Sequence, residues 1–276
     1  MPNSILVEKR DQVALVTLNR PELRNAFDDS LIAQLTTALH ELELDASVRA
    51  VVLAGAGTAF CAGADLNWMK RMAGYTDEQN FEDALGLATM LQTLDRLSKP
   101  TIARVHGFAF AGGVGLVAAC DIAIGAEDAE FCLTEVKLGL SPATISPYVV
   151  RAVGERAARR YMLSGERFTA AEAYRLGLLS ELAPAAELDA SIDSLLGHLL
   201  SGGGAAQGSI KDLIRTVASG GVDDAMVRET ARRIAQIRAS SEAREGIAAF
   251  LAKRKPAWLA SGTGADTAPR QAKRPS

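Results

Sequence analysis

The chain has 276 residues, of which 48% are hydrophobic, and its 30 basic and 33 acidic side chains give a formal net charge of −3. This composition is typical of a globular protein with a sizeable core, and the slightly acidic balance gives no general attraction for nucleic acid. Three cysteines without a CxxC pair argue against a disulfide framework or a zinc site, so we expect a reducing, cytoplasmic environment. No run approaches the roughly 18 apolar residues that a membrane helix needs, and no membrane partner is expected.

Short strands and longer helices alternate along the first half of the sequence. The predicted strands, all rich in apolar side chains, are residues 13–18, 50–53, 101–105, 121–125 and 131–133. Helical spacing predicts one helix from Asp28 or Asp29 to Leu42 and a second from Asp77. The apolar stripe predicted for the second helix consists of Phe81, Leu85, Ala88, Leu91 and Leu94. From about Pro147 the pattern is helical, which indicates an α/β or mixed core with a helical C-terminal part.

Two segments rich in glycine and alanine follow predicted strands. They are Ala59–Leu66 (AFCAGADL) and His106–Gly115 (HGFAFAGGVG), and the second leads into a helix. Small residues let a ligand approach the backbone closely, and the first N–H groups of a helix are unpaired. Two such N–H donors aimed at one point would stabilise a negatively charged carbonyl oxygen. For either segment alone tight packing is the simpler explanation, whereas their joint occurrence favours an oxyanion site.

One glycine pattern in the sequence is also typical of a different class of protein. Residues Gly113–Ala118 match the G-x-G-x-x-A pattern of dinucleotide-binding folds, follow a predicted strand and open a helix. The acidic residues that could bind a ribose, between 127 and 130, come earlier than the usual offset of about 20 residues. No second feature supports this interpretation. An NAD-dependent oxidoreductase therefore stays as the alternative of another class, ranked below a thioester enzyme.

Five segments in a fixed order resemble the crotonase superfamily, which contains the enoyl-CoA hydratases and isomerases. They are LNRPELRNAFD (18–28), AFCAGADL (59–66), HGFAFAGGVGL (106–116), FCLTEVKLGLSP (131–142) and FLAKRKP (250–256). The resemblance implies an α/β spiral of ββα units at 1–200 with the CoA and catalytic site. It further implies a helical trimerisation and CoA-lid region at 201–258, while 259–276 is predicted to be a disordered tail. An acyl-CoA substrate, a homotrimer or homohexamer, and no cofactor beyond the CoA of the substrate are implied as well.

The same resemblance assigns roles to individual residues. Ala64 and Gly112 are implied to supply the two oxyanion N–H groups, and Glu135 the acid/base carboxylate. The residues implied to bind CoA or the acyl group are Arg24, Ala26, Ala62, Asp65, Leu66, Trp68, Gly115, Phe250 and Lys253. Phe250 and Lys253 match the position where a neighbouring subunit closes over CoA. For Trp68 plain core packing is nearly as good an explanation as a wall of the acyl pocket.

The number of glutamates bears on the reaction. Hydratases of the family usually carry two, and this sequence has Gly115 at one of those positions and Glu135 at the other. Glu135 follows an apolar strand, so we expect burial to raise its pKa. One carboxylate can activate water and return the proton, or it can move a proton between two carbons. The sequence therefore predicts a lyase that adds water to a 2-enoyl-CoA through an enolate, with a Δ3-Δ2 enoyl-CoA isomerase as the alternative.

The segment 131–168 narrows the substrate prediction. It resembles bacterial methylglutaconyl-CoA hydratases of leucine and isoprenoid breakdown, which implies a branched or carboxylated enoyl-CoA such as 3-methylglutaconyl-CoA. Fatty acid and leucine degradation are the corresponding metabolic settings. A distal carboxylate would need a nearby cation, and Lys137 and Arg151 are candidates by sequence proximity alone. For both, an ordinary surface charge is the simpler explanation.

Overall fold

The computed structural model describes residues 3–260 of the chain. Helices dominate, and the strands form two sheets, which confirms the predicted mixed α/β class. Over this range no helix is both long enough and apolar enough to span a membrane. Within the same range no group of three or more His, Cys, Asp or Glu side chains could hold a metal ion.

The larger sheet contains six strands in the order β1-β2-β3-β4-β6-β9. The strands are β1 (Ile5–Arg10), β2 (Val13–Leu18), β3 (Ala50–Gly55), β4 (Thr101–Val105), β6 (Ile122–Ala126) and β9 (Glu181–Ala183). The first pair is antiparallel and every later pair is parallel. The central strand β3 is buried along almost its whole length, as expected of a parallel strand covered on both faces.

The smaller sheet contains three short strands in the order β5-β7-β8. They are β5 (Phe108–Phe110), β7 (Glu130–Cys132) and β8 (Arg167–Thr169). β5 and β7 pair in parallel, and β8 joins β7 antiparallel. The sequence placed β5 inside a glycine-rich turn, because a three-residue strand is too short to show an alternating pattern.

The helices lie between and after these strands. They are α1 (Asp29–Leu44), α2 (Leu66–Met72), α3 (Asp77–Arg96), α4 (Gly112–Ala119), α5 (Ser146–Ser164), α6 (Ala170–Leu176), α7 (Leu188–Ser201), α8 (Gly204–Ala218), α9 (Asp224–Arg238), α10 (Ser241–Leu251) and α11 (Ala257–Ala260). Asp28 caps α1 by accepting a hydrogen bond from the Leu31 N–H, and Thr76 begins α3 in a capping box with Gln79.

The predicted stripe of α3 is only half right. Leu91 and Leu94 are fully buried, together with Met90, as the helical spacing requires. Phe81 and Leu85 in the first half of the helix are 64% and 45% exposed. Helical periodicity identifies one face of a helix but not how much of its length reaches the core, so the prediction for these two residues is wrong.

The chain divides into two compact units, one up to Arg215 and one from Thr216 onward. The first contains both sheets and the main apolar core. The second contains α9, α10 and α11, and Asp223 caps α9 through the N–H of Met226. The predicted division at residue 200 stays a prediction. Most of the predicted tail, from residue 261, lies outside the described residues, whereas residues 259 and 260 end α11.

Candidate active site

Three parallel segments end at one edge of the smaller sheet. Cys61 pairs with Ala109 in a parallel bridge, and Ala109 pairs with Phe131 across β5 and β7. Ala64 comes three residues after Cys61, and Gly112 comes three residues after Ala109. Glu135 comes four residues after Phe131. The carboxyl ends of parallel strands meet at a common edge, where ligands bind in open α/β sheets. The register therefore brings the two predicted amides and the predicted carboxylate to the same edge.

The backbone around Ala64 directs its N–H away from its bridge partner. Ala64 pairs with Phe27 in a second parallel bridge. The Phe27 N–H donates to the Gly63 carbonyl at 2.9 Å, and the Asp65 N–H donates to the Phe27 carbonyl at 3.0 Å. In a parallel ladder these bonds come from the neighbours of the paired residue, whose own N–H points to the opposite side. Between residues 3 and 260 the Ala64 N–H has no acceptor.

Gly112 presents the second amide at the start of α4. The first N–H groups of a helix have no intrahelical partner, and the helix dipole adds partial positive charge there. Ala111 just before it has φ 49° and ψ −120°, a conformation that costs a residue with a side chain about 1–3 kcal/mol. A hydrogen bond of 2.8 Å from the Ala111 N–H to the Cys132 carbonyl supports this turn. The same hydrogen bond connects the turn before Gly112 to β7.

Only glycine fits at position 112. A Cβ there would lie 2.8 Å from Cε1 of Phe27 and nearer still to Cζ. Atoms at such separations overlap, so a side chain would displace either the ring or the helix start. The glycine is needed because a bulky neighbour closes against its Cα, which the sequence pattern alone could not show.

Glu135 is the carboxylate that belongs to this edge. It begins a short 3₁₀ helix, Glu135–Leu138, and its Oε2 is buried without a hydrogen-bond partner among the described residues. Burial raises the pKa of Glu135 above its ordinary value, against a smaller lowering by its own backbone N–H. A buried acceptor left unpaired costs free energy, and such atoms mark places where a ligand or water completes the hydrogen bonding. Glu135 can therefore exchange a proton with a bound molecule.

Gly115 lies one turn into α4, at the position where the resemblance implies the other carboxylate of two-glutamate hydratases. It is fully buried, and a Cβ would lie 2.7 Å from Cβ of Ile145 and nearer still to Cγ2. Ile145, itself buried, thus occupies the space that a side chain at position 115 would need. The site is built with an apolar residue beside Gly115 instead of a second carboxylate.

The same packing argues against the dinucleotide interpretation. Gly113 and Gly115 lie inside α4, not in the turn before it. A Cβ on Gly113 would lie 2.7 Å from the Cys61 carbonyl oxygen. Both glycines face protein atoms, so neither gives a pyrophosphate the close approach that the fingerprint requires.

Asp65 and Trp68 are placed in the interior. One Asp65 oxygen accepts from the N–H groups of Asn67 and Trp68 at 2.7 and 3.1 Å, and the other accepts from Arg20 at 3.0 Å. Desolvation raises the pKa of Asp65, but the backbone donors and Arg20 outweigh it and hold the pKa below its ordinary value. Trp68 is buried, and its indole N–H donates to Asp83 at 2.9 Å. Both side chains are thus engaged in structural contacts, and their predicted contacts with CoA or the acyl group stay predictions.

The other predicted CoA residues of the first unit lie around one loop pairing. The Ala62 N–H donates to the Arg24 carbonyl at 2.9 Å, and the Ala26 carbonyl accepts from Arg20. Arg24 is exposed, with its guanidinium 6.0 Å from the centre of the Phe108 ring. Leu66, at the start of α2, is 74% exposed. Arg24 and Leu66 are therefore available to a ligand at the surface of this loop.

Phe250 and Lys253 lie in the second unit. Phe250 is near the end of α10 and is 82% exposed. Lys253 follows in a left-handed conformation, with φ 51°, and is also exposed. An apolar ring and a cation are therefore presented to solvent close together in the sequence, and their predicted contact with CoA stays a prediction.

Four residues that shape the site were given no role from the sequence: Arg20, Asn25, Phe27 and Ile145. Asn25 is fully buried and donates to the carbonyls of Ala56 and Ala59 at 2.8 Å each. Its side-chain oxygen accepts from the Arg20 N–H at 3.0 Å. Arg20, Asn25 and Phe27 belong to the segment LNRPELRNAFD, in which the polar residues after the apolar strand β2 were the available signal. No local signal indicates Ile145.

Comparison with known proteins decides the family. Residues 8–261 match the family model described as Enoyl-CoA hydratase/isomerase. The chain belongs to this family, and the predicted resemblance to the crotonase superfamily is confirmed. An enoyl-CoA hydratase structure from Shewanella pealeana is 42% identical, with a TM-score of 0.91 and coverage of 93% of this chain and 96% of that one.

Two curated relatives give the same result. The 2,3-dehydroadipyl-CoA hydratase of Escherichia coli strain K12 is 32% identical over 261 residues, which are 92% of this chain and 98% of the relative. The short-chain-enoyl-CoA hydratase of Clostridium acetobutylicum is 32% identical over 255 residues, with 92% and 96% covered. The similarity therefore extends over nearly the full length of each protein.

Proposed function

We propose that this protein is an enoyl-CoA hydratase, a lyase that adds water reversibly to a 2-enoyl-CoA thioester. The observation that carries the proposal is the pair of unpaired amides, Ala64 and Gly112, at the edge where Glu135 also emerges. The hydratase names of full-length relatives support the same reaction.

The geometry supports a stepwise reaction. The thioester oxygen accepts hydrogen bonds from the N–H groups of Ala64 and Gly112. Glu135 takes a proton from water as the water oxygen bonds to C3, and the C2–C3 π electrons move through C2 to give an enolate. The proton held by Glu135 then passes to C2 and the thioester carbonyl is restored. Loss of one backbone donor would raise the barrier by about 2.7–4 kcal/mol, so the amides carry much of the catalysis.

The alternative reaction on the same site is Δ3-Δ2 enoyl-CoA isomerisation. The buried contact between Gly115 and Ile145 favours it, because only Glu135 is left to move protons. In that case Glu135 removes a proton from C2 and returns it to C4, and no water is added. The hydratase is the better proposal because the full-length relatives carry that name.

For the acyl group we propose a branched 2-enoyl-CoA such as 3-methylglutaconyl-CoA, in leucine degradation in the cytoplasm. The support is the resemblance of residues 131–168 to bacterial hydratases of that substrate. Arg151 forms an ion pair with Asp95 and stacks against Tyr148 at 5.6 Å, so its charge is already compensated. Lys137 lies in the same 3₁₀ helix as Glu135 and is the better candidate for a distal carboxylate.

We also propose that the protein works as a homotrimer or a dimer of trimers, with Phe250 and Lys253 of one copy closing over CoA on another. Exposed apolar residues on the C-terminal helices support an interface between copies. Ile210 and Ile214 lie one turn apart on α8 and are about half exposed, and Val227 and Ile234 lie two turns apart on α9. Sedimentation of the purified protein tests this, and a monomer at micromolar concentration would contradict it.

A panel of acyl-CoA thioesters tests the reaction and the substrate together. We expect crotonyl-CoA and 3-methylglutaconyl-CoA to give 3-hydroxyacyl-CoA products by mass spectrometry, with the branched substrate preferred in kcat/KM. A 3-enoyl-CoA converted to the 2-enoyl isomer without a hydroxy product would favour the isomerase. A rise in melting temperature with NAD but not with acetyl-CoA would overturn both.

A further inference from the structure

We propose that Phe27 is a positioning residue that fixes the distance and direction between the two oxyanion amides. It is the residue whose backbone pairs on either side of Ala64 while its ring closes against Gly112. No acid/base or substrate contact is assigned to it. The inference rests on the proposed function only through the oxyanion site that the two amides form.

The backbone of Phe27 fixes the direction of the Ala64 N–H. It donates to the Gly63 carbonyl at 2.9 Å and accepts from the Asp65 N–H at 3.0 Å. These two bonds enclose Ala64, so the peptide plane that carries its N–H cannot rotate without breaking one of them. Any displacement of residue 27 would therefore turn this donor.

The ring of Phe27 fixes the position of Gly112. A Cβ built on Gly112 would lie 2.8 and 3.3 Å from Cε1 and Cε2 of the ring, so the ring end faces the Cα of Gly112 directly. Phe27 is only 2% exposed, and its ring lies 6.0 Å from that of Trp68, at an interplanar angle of 58°. The hydrogen bond from Trp68 to Asp83 fixes the indole in turn. The ring is therefore confined where it limits the approach of α4.

Arg20 holds the backbone on both sides of Phe27 in place. Its guanidinium donates to the Ala26 carbonyl at 2.7 Å and pairs with Asp28 at 3.1 Å, which are the residues before and after Phe27. The same group pairs with Asp65 at 3.0 Å, the residue after Ala64. One largely buried cation thus joins both sides of the Phe27–Ala64 bridge. Phe27 is thereby bound to one amide segment by hydrogen bonds and to the other by contact.

Oxyanion donors are effective only within about 2.7–3.1 Å of the position that the charged oxygen will occupy, and a misplacement of about 1 Å can cost about 100-fold in rate. A shorter side chain at position 27 leaves space beside Gly112, which lets the start of α4 move. The hydrogen bonds to the oxyanion strengthen as negative charge develops, so losing them raises the transition state more than it weakens substrate binding. We therefore expect changes at Phe27 to lower kcat with little change in KM.

The test compares Phe27→Leu with Phe168→Leu. Phe168 is a matched control, because it is a buried phenylalanine that stacks on Phe131 and packs against the tilted ring of Tyr161. It lies on a strand that carries neither amide. We expect Phe27→Leu to lower kcat roughly 10- to 100-fold with KM changed less than about threefold. Phe168→Leu, at a similar loss of melting temperature, should retain most of kcat.

An infrared measurement separates positioning from general instability. The amides polarise the thioester carbonyl, so its stretching band moves to lower frequency when cinnamoyl-CoA binds to the wild-type protein. In Phe27→Leu the band should return part of the way toward its value in solution, whereas Phe168→Leu should leave it unchanged. Phe27→Met, whose longer unbranched side chain can still reach toward Gly112, should give an intermediate band and also serves if Phe27→Leu does not fold.

Two results would overturn the inference: wild-type kcat and carbonyl band in both Phe27 variants, or equal losses in Phe27→Leu and Phe168→Leu. The band also distinguishes this inference from the proposed function. A wild-type protein that polarises the bound thioester but hydrates no enoyl-CoA would contradict the hydratase proposal, and the variant comparison by infrared would still decide the role of Phe27.

Discussion

The two segments that present the oxyanion amides are held in place by different kinds of interaction. The Ala64 segment depends on buried polar side chains. Asn25 donates to the Ala59 carbonyl, Asp65 accepts from the Asn67 N–H, and Arg20 donates to the Asp65 carboxylate. The Gly112 segment depends on packing, because the Phe27 ring closes against its Cα, and the hydrogen bond from the Ala111 N–H to the Cys132 carbonyl supports its turn. The position of the Ala64 amide is therefore sensitive to changes in side-chain charge, and that of the Gly112 amide to changes in side-chain volume.

This difference follows from where each segment starts. The Ala64 segment is irregular chain before a short helix, so its backbone groups need side-chain partners. The Gly112 segment passes directly from β5 into α4, whose own hydrogen bonds satisfy most of its backbone. Four substitutions can break or sharpen the comparison.

Glu135→Gln has the largest expected effect, because it removes the proton acceptor and leaves both amides intact. We expect hydratase kcat to fall about 10²–10⁴-fold, with thioester binding retained. In the wild type, activity should be lost as pH falls through the Glu135 pKa, which burial holds above 4.5, because only the carboxylate accepts a proton from water. Steady-state rates across pH measure both effects.

Glu130→Gln is the control for that experiment. Glu130 begins β7, the strand that precedes Glu135, but is half exposed and pairs with Arg167 at 3.0 Å. Its replacement should leave the rate and the pH profile unchanged. Wild-type turnover in Glu135→Gln would remove this residue from the mechanism.

Gly112→Ala should disturb the packing that holds the Gly112 segment. The added methyl overlaps the Phe27 ring, so the second amide is displaced and kcat should fall about 10²–10³-fold, as for loss of one oxyanion donor. Ala64→Gly keeps the backbone donor and adds no overlap, so its rate should stay within about tenfold of wild type. Equal losses in the two variants would show that the amide segments do not differ in this way.

Arg20→Met should disturb the polar contacts that hold the Ala64 segment. It leaves Asp65 buried without its cation, and we expect a loss on the order of 3 kcal/mol in the free energy of unfolding, measured by urea titration. The folded pKa of Asp65 is lowered, so the pair stabilises the protein above the unfolded pKa of about 4 and this contribution is lost as pH falls through the folded pKa. The difference in the free energy of unfolding between the variant and the wild type should therefore become smaller at acidic pH.

Arg71→Met is the matched control for the buried cation. Arg71 pairs with Asp29 at 2.6 Å, and both side chains are exposed. Exposed pairs contribute little to stability, so this variant should unfold as the wild type does. A loss equal to that of Arg20→Met would contradict the assignment of Arg20 as a buried support.

Gly115→Glu should have the smallest effect of the four substitutions. It tests whether Ile145 fills the space beside position 115. The single variant places a side chain against Ile145 and should lose about 1–3 kcal/mol of stability by overpacking. Combining it with Ile145→Ala removes the obstructing side chain, so the double variant should lose less than the sum of the two single variants. Strict additivity in the double-mutant cycle would show that the two residues do not share this space.

Much of the architecture could be predicted before any tertiary contact was known. Strands β2 and β4, the start of α1 near Asp28, the start of α3 at Asp77 and the family all followed from local pattern or from motif resemblance. The exposure of Phe81 and Leu85 could not be predicted, because periodicity does not indicate which turns of a helix meet the core. Strand β5 was too short to recognise.

The sequence alone determined which backbone positions could present unpaired amides and that Glu135 stood without a second glutamate at Gly115. Tertiary structure decided what holds those positions: the Phe27 ring faces Gly112, Ile145 closes the space beside Gly115, and the Asp65 carboxylate bonds to Arg20 and α2. The physical reason is that a glycine in the sequence shows only that a side chain is absent. Which distant residue fills the space is set by packing between segments far apart in the chain.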